Sequence, residues 1–239
     1  MTAWKLTLEG REEVADGTLC FRFARPAGFA FKAGQAIDLI IPGDAPGAPG
    51  ERHAFSLVGA PFEDGLTVAT RMRDSAFKRA LGKLPVGGHA ACEGPFGSLT
   101  LRSDTSRDAV LIAGGIGITP FMSILRQAFR DPPTRRFALV YSNRRPEDAA
   151  FLDELERLER SGERFRLIAT MTNVSGSGRP WRGETGRVDA AMVARAREGF
   201  RNPVYYVVGP PAMVGAIRGV LEAAGVAEDD VRDEAFFGY

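Results

Sequence analysis

The sequence is poor in the residues that hold metals. Its 239 residues include only two cysteines, Cys20 and Cys92, and two histidines, His53 and His89. Two cysteines far apart cannot by themselves ligate an iron–sulfur cluster or a structural zinc ion. Two histidines exclude a His-rich metal site. The thiols are expected to be reduced and buried, as in a cytosolic protein. An excess of one charge is missing too: 31 Lys+Arg against 30 Asp+Glu leave a net charge of +1. A protein that holds nucleic acid over its whole surface usually carries a larger basic excess, although local basic patches stay open. Long apolar runs are absent as well. The stretch from Ala109 to Phe121 is broken by Gly114, Gly115, Gly117 and Pro120 and is too short to span a bilayer. The first residues carry Lys5, Glu9, Arg11, Glu12 and Glu13 with no apolar block. No signal peptide is therefore expected, and the protein reads as cytoplasmic.

What is present is a globular composition, 44% hydrophobic and 26% charged. The two halves of the chain differ in pattern. Residues 1–103 hold short β-rich or alternating runs at 3–8, 18–23, 36–41, 53–58, 66–70 and 89–93. Pro26-Ala27-Gly28, Pro42-Gly43-Asp44, Asp64-Gly65 and Gly87-Gly88 separate them. Such spacing predicts a small antiparallel barrel or sandwich, here of six strands, with one short helix at 75–81. From 104 to 239 strands alternate with helices. Strands are expected at 109–113, 137–141, 165–170 and 204–208, and helices at 120–130, 147–160, 189–197 and 212–224. The helix at 147–160 is amphipathic, with Phe151, Leu152, Leu155 and Leu158 on one face. This alternation predicts a parallel sheet covered on both faces. The boundary falls in the polar stretch 101–108. The Gly- and Ser-rich segment 173–183 reads as the one long flexible connection.

The turn after Ala113 has a chemical rationale. A strand ends, Gly114, Gly115 and Gly117 make a tight turn, Thr119 stands where an N-cap is wanted, and Pro120 suits the first helical position. Glycines admit a ligand close to the backbone, and a helix start offers free N–H groups to a pyrophosphate. A tight packing turn accounts for the same glycines. The spacing is not G-x-G-x-x-G. Val208-Gly209-Pro210-Pro211 repeats the strand–turn–helix pattern, and two such turns in one sheet are suited to frame a dinucleotide cleft.

With these motifs in order, the chain resembles the ferredoxin–NADP reductase superfamily over nearly its whole length. Arg52-His53-Ala54-Phe55-Ser56 looks like the family's flavin motif R-x-Y-[ST], and Gly94-Pro95-Phe96-Gly97 like the G-P-x-G that ends the flavin barrel. Gly114 to Pro120 is similar to the nicotinamide-nucleotide turn, and Gly209-Pro210 with Met213 to C-G-P-x-x-M, with Val208 in place of Cys. The resemblance implies that residues 1–103 bind FAD and 104–239 bind NAD(P). Arg52 would hold the flavin pyrophosphate and Phe55 would pack on the flavin; an ion pair and a core phenylalanine are the competing accounts. His53 and Ala54 share that strand, and Ser56 would bring a hydroxyl near flavin N5. Ala69, Thr70 and Arg71 would face the ring and ribityl edge, and Ser75, Ala76 and Phe77 would offer helix N–H groups to the pyrophosphate. Asp74 stands where the family often has Gly.

On the nucleotide side the resemblance assigns Gly114, Gly115, Gly117 and Thr119 to the pyrophosphate and nicotinamide, and Gly209 and Pro210 to the opposite wall. Ser142, Arg144 and Arg145 are placed to meet a 2′-phosphate, with Arg179 and Arg182 nearby; NADPH is slightly favoured over NADH. Glu234 and Phe236 look like the family's terminal acid and flavin-covering aromatic, with Tyr239 the rival cover; a frayed tail is the alternative. Ser56, Thr119 and Glu234 are the candidate catalytic residues. The implied activity is hydride transfer from NAD(P)H to bound FAD, then electron delivery to a separate ferredoxin, flavodoxin or oxygenase component. Lys78, Arg79 and Lys83 would steer such a partner unless they are only a solvated helix face. A diaphorase or flavin reductase acting on small acceptors is a second reading. A non-enzymatic flavin- or nucleotide-binding redox sensor is a third. No nucleic acid, membrane span or metal is expected.

Overall fold

The β-rich runs pair as their alternation requires. In the computed structural model, which describes residues 3–42 and 50–237, β1 (Trp4–Ala15) and β2 (Thr18–Ala24) form a hairpin turning at Asp16-Gly17. Gly17 takes φ +62°, a backbone conformation that costs a β-carbon-free residue nothing. With β3 (Ala36–Ile41), β4 (Glu51–Ser56), β5 (Gly65–Arg71) and β6 (His89–Phe96), they make an antiparallel sheet in the order β4-β3-β6-β1-β2-β5. A bridge from Leu57 to Val68 and a bond from Val58 N–H to Thr67 O, 2.8 Å, join the two ends of that order and close the barrel. Its interior is filled by Leu6, Leu8, Phe21, Phe23, Ile37 and Leu39, all buried. Each such side chain contributes roughly 1.5–3 kcal/mol of burial. Cys20 and Cys92 are buried in this unit and form no disulfide.

Helix α1 (Ala76–Lys83) is capped by Ser75, whose hydroxyl accepts from Lys78 N–H at 3.2 Å. The first compact unit comprises the described residues through Leu101 together with helix α2 (Thr119–Arg130). Within it, Ser123 Oγ donates to Gly59 O at 2.7 Å and Arg126 pairs with Glu63 at 3.7 Å.

The second unit comprises Arg102–Ile118 and the described residues from Pro132 onward. Strands β7 (Ala109–Gly114), β8 (Phe137–Asn143), β9 (Phe165–Met171), β10 (Glu184–Thr185), β11 (Val204–Gly209) and β12 (Val231–Ala235) form a parallel sheet, ordered β10-β9-β8-β7-β11-β12. β7 and β11 are buried at every residue, as central parallel strands require. Helices α4 (Ala190–Arg197) and α5 (Pro211–Ala223) cover one face through Met192, Val193, Val214 and Ile217. Helix α3 (Leu152–Arg160) packs by β9.

Two local expectations are corrected. The helix expected from 147 starts at Leu152, because Pro146–Asp148 forms a separate 3-10 turn and Phe151 sits at φ 61°, which breaks a regular helix. Thr119 is the first helical residue of α2 and not its cap; a 3-10 turn, Gly115–Ile118, precedes it. The described tail through Phe237 includes β12, a strand at the sheet edge. Among the described residues no helix is long and apolar enough to cross a membrane.

Candidate functional site

On the barrel unit, strand register decides what each motif residue meets. β4 pairs with β3 as Ile37↔Phe55, Leu39↔His53, Asp38↔Ala54 and Ile40↔Arg52. Side chains alternate across a strand, so Phe55 and His53 share one face while Arg52 and Ala54 share the other. Phe55 is buried and stacks on Phe77 of α1 with ring centroids 5.7 Å apart; His53 lies 4.4 Å from the same ring. Phe55 therefore packs into the barrel core. Arg52 pairs with Glu93 at 2.8 Å and with Asp38 at 3.4 Å, so its guanidinium is engaged by two carboxylates. Ser56 ends β4, buried opposite Ala36. Ala69 and Thr70 are buried in β5, and Arg71 is its last residue.

A concentration of positive charge lies beside α1. Lys78 is buried, and its Nζ donates to Arg71 O at 2.8 Å. Its ammonium pKa is lowered, first by burial and then by the charges of Arg73 and Arg71. Among the described residues neither Arg71 nor Arg73 has a carboxylate partner. The Ser75 cap satisfies Lys78 N–H, which leaves Ala76 and Phe77 N–H in the first turn without an intrahelical acceptor. Three mutually repelling cations at a helix N-terminus suit a diphosphate, so these residues fit the phosphates of FAD. The pattern is thinner where a steering patch was expected. Lys78 is buried and Arg79 pairs with Asp74, so only Lys83 of that trio stays exposed without an ion pair.

In the second unit the carboxyl ends of β7, β11 and β12 converge. A β-carbon on Gly114 would lie 2.4 Å from Met213 Sδ and 3.0 Å from a Pro210 carbon, and one on Gly117 2.4 Å from Val208 O. A β-carbon on Gly209 would sit 3.2 Å from Gly114 Cα. Contact between the two turns thus accounts for Gly114, Gly117 and Gly209 as packing. Gly115 differs: it takes φ +54° and has open space around it. Phe236 N–H donates to Gly209 O at 2.9 Å, and Glu234 pairs in register with Val208. Glu234 remains partly in solvent, yet burial of its carboxyl pushes its pKa up. Tyr239 lies outside the described residues. Thr119 is buried.

The turn after β8 is more committed to its own structure than its arginines suggest. Arg145 is clamped on Asp148, with Nη2 to Oδ1 at 2.8 Å and Nε to Oδ2 at 3.1 Å. Arg144 is exposed and has no ion-pair partner among the described residues. Ser142 pairs with Gly114 across the sheet. The segment read as flexible is tied down: Glu147 accepts from Gly178 N–H at 2.6 Å, Arg179 N–H at 3.3 Å and Ser177 Oγ at 2.8 Å. Its carboxyl is held at about 2, first by its own backbone N–H and then by these donors. Sequence reading did not single out Glu147; no periodicity marks a residue whose importance lies in what its side chain meets.

Comparison with known proteins places the chain. Residues 111–219 match the model of the oxidoreductase NAD-binding domain. Over 209 residues the chain is 31% identical to the ferredoxin–NADP reductase B of Sorangium cellulosum, covering 84% of this chain and 82% of that one. The chain belongs to the ferredoxin–NADP reductase superfamily. It is also 32% identical, over 88% of its length, to the reductase component of propane 2-monooxygenase from Mycolicibacterium smegmatis. The chain spans 57–60% of the length of that protein and of the monooxygenase reductases that accompany it. The fold matches a Neisseria gonorrhoeae ferredoxin NADP+ reductase, described with bound FAD and NADP, at TM-score 0.83 and 22% identity over 99% of this chain and 100% of that one.

Proposed function

We propose that the chain is a flavoprotein reductase that takes hydride from NAD(P)H onto bound FAD and passes electrons to a separate acceptor protein. A ferredoxin, a flavodoxin or an oxygenase component is the acceptor class. The observation that carries the reading is the cluster of Arg71, Arg73 and Lys78 at the start of α1, in which neither arginine has a carboxylate partner among the described residues and which suits the flavin phosphates. Residues 1–103 are the proposed FAD-binding part and 104–239 the NAD(P)-binding part. When bound, FAD supplies a hydride acceptor able to release electrons one at a time.

The chain's own residues bind and orient. Arg71, Arg73 and the N–H groups of Ala76 and Phe77 hold phosphate, and Arg52 supports that wall from its ion pairs. Ser56 offers a hydroxyl to the reacting edge. Gly115, with open space around it, admits the nucleotide backbone at the end of β7, and Thr119 follows it. Glu234, whose carboxyl keeps its proton to higher pH than an ordinary glutamate, is the proposed acid of the nucleotide-binding part, and Phe236 lies two residues on. Arg144, without an ion-pair partner, favours a 2′-phosphate and hence NADPH. Two buried thiols that form no disulfide support a cytoplasmic setting.

Anaerobic titration of the flavin-loaded protein with NADH and with NADPH tests this. Bleaching of the flavin absorbance is expected with both, at lower concentration with NADPH. Flavin that binds but is bleached by neither would end the reductase reading.

A further inference from the structure

The barrel unit has a cleft at the end of β2 and β5 away from Arg71. Gly65 opens β5 and pairs with Ala24, and Arg71 closes the strand about 20 Å further on. The cleft, lined from Arg25 to Ala30 and from Phe62 to Asp64, is therefore remote from the phosphate cluster.

Two turns build it. Phe29 N–H donates to Pro26 O at 3.0 Å, and Gly28 takes φ +83° in the third place, as a type II turn requires. Glu63 N–H donates to Ala60 O at 3.0 Å, with Pro61 in the second place, which favours proline. Arg25 ties the turns together. Its Nε donates to Phe29 O at 2.8 Å, and its Nη1 donates to Pro61 O at 2.7 Å and Glu63 O at 3.3 Å. One half-buried cation thus fixes both walls, and the cleft is preformed. Its volume is about 470 Å³, within the range of small-molecule sites.

The lining combines apolar surface with one available charge. Phe62 is 50% exposed and lines the cleft with Pro26, Phe29 and Ala30. Glu63 is engaged: its carboxylate accepts from Ala60 N–H at 3.1 Å and lies 3.7 Å from Arg126. Asp64 is exposed and has no ion pair or side-chain hydrogen bond among the described residues. Arg130 stands 5.9 Å from the Phe62 ring but outside the lining, and Arg25 is hydrogen-bonded to carbonyls. Asp64 is the charge left for a ligand.

We infer that this cleft binds a flat aromatic ring bearing an ammonium group, with the ring against Phe62 and the ammonium on the Asp64 carboxylate. A ring that covers Phe62 removes apolar surface from water. An ammonium beside a carboxylate and an aromatic face gains from both. An anion of the same shape meets repulsion at Asp64. The inference concerns neither flavin nor pyridine nucleotide, and it stands or falls apart from the reductase reading.

The test follows backbone amide NMR signals of the full chain, with and without added FAD, on titration with tryptamine and with indole-3-propionate. Tryptamine is expected to shift the signals of residues 25–30 and 62–64 with a Kd of about 1 mM. The propionate is expected to bind at least about threefold more weakly. Asp64→Asn should raise the tryptamine Kd about threefold to fivefold without weakening the propionate, and Phe62→Ala should weaken both about tenfold. Both side chains are exposed, so each variant should keep the parent Tm within about 2 °C. No shift in these segments at about 10 mM tryptamine, ten times the expected Kd, overturns the inference. Equal affinity for the two probes, or for parent and Asp64→Asn, overturns it too. Added FAD is expected to leave tryptamine in place; displacement would put the probe in the flavin site and sink the assignment.

Discussion

The arginines beside α1 and those after β8 carry the same charge in opposite circumstances. Arg71 and Arg73 stand near a buried lysine with no carboxylate to answer them. Arg145 is forked onto Asp148, and Arg136 onto Asp108, whose side chain has no solvent exposure. In the second unit charge is used to hold backbone together. Asp108 accepts from Arg136 Nη2 at 2.8 Å and from the N–H groups of Arg136 and Arg201 at 2.9 and 2.8 Å, tying β8 and the entry to β11 to β7. Beside α1 the charge of Arg71 and Arg73 is left over. A cation with its acid is architecture; a cluster of cations without one is a site. Sequence composition cannot separate the two, because a net charge of +1 averages over both.

The comparison breaks hardest at Asp108. Asp108→Ala leaves Arg136 and two backbone N–H groups without their acceptor in the interior. It is expected to cost roughly 2–4 kcal/mol, chiefly because two backbone N–H groups lose their acceptor at about 1–3 kcal/mol each, read by urea denaturation. The pH dependence follows. Burial pushes the Asp108 carboxyl up, but the N–H groups of Arg201 and Arg136 and the Arg136 guanidinium outweigh it, and the net shift is downward. A carboxyl whose folded pKa is depressed contributes stability that is present above its unfolded pKa of about 3.9 and is lost as pH falls through its folded value. The parent should thus weaken steeply below about pH 4, and the variant should show a shallower acid limb. An unchanged acid limb would remove Asp108 from the set of charges that matter.

A smaller effect is expected at the uncompensated cluster. Arg71→Gln with Arg73→Gln should lower flavin affinity by about tenfold to a hundredfold, as charge-assisted hydrogen bonds to phosphate are worth roughly 1.5–3 kcal/mol. The flavin-free protein should be no less stable, since Lys78 loses two repulsive neighbours. Equilibrium dialysis against FAD and thermal melting of the flavin-free form measure the two halves. If the flavin-free variant melts earlier and holds flavin equally well, the cluster is architecture after all.

How much of this was legible depends on which interaction fixes each element. β7, β8 and β11 are apolar because both faces are buried, so short runs of aliphatic and aromatic residues announced them. β12 was hidden because an edge strand has little to bury: Arg232, Asp233 and Glu234 carry no apolar period, and its place is set by backbone pairing with β11. β10 is two residues long and has no pattern to read. Helix α3 was overextended because Phe151 fits the apolar stripe, while its left-handed backbone depends on the Arg145–Asp148 turn before it. The glycine turns were visible as glycines. Whether they serve packing or a ligand needed the contact to Met213, Pro210 and Val208. Arg25 looks like one more loop arginine until the carbonyls it joins are known.

The smallest effect on flavin affinity is expected at Arg52, and it sharpens the contrast most. Its guanidinium is half exposed and lies between Asp38 and Glu93, which face each other across β3 and β6. Arg52→Ala removes an exposed pair and leaves two carboxylates adjacent, for a cost of up to about 1 kcal/mol. If Arg52 mainly neutralises that wall, flavin affinity should fall only a few-fold, well short of the Arg71 and Arg73 change, and Arg52→Lys should restore most of it. A loss as large as the double variant's, unrelieved by lysine, would mean that the planar fork of Arg52 reaches phosphate itself. The division between compensated and uncompensated cations would then fail at the one residue whose motif first drew attention to the barrel.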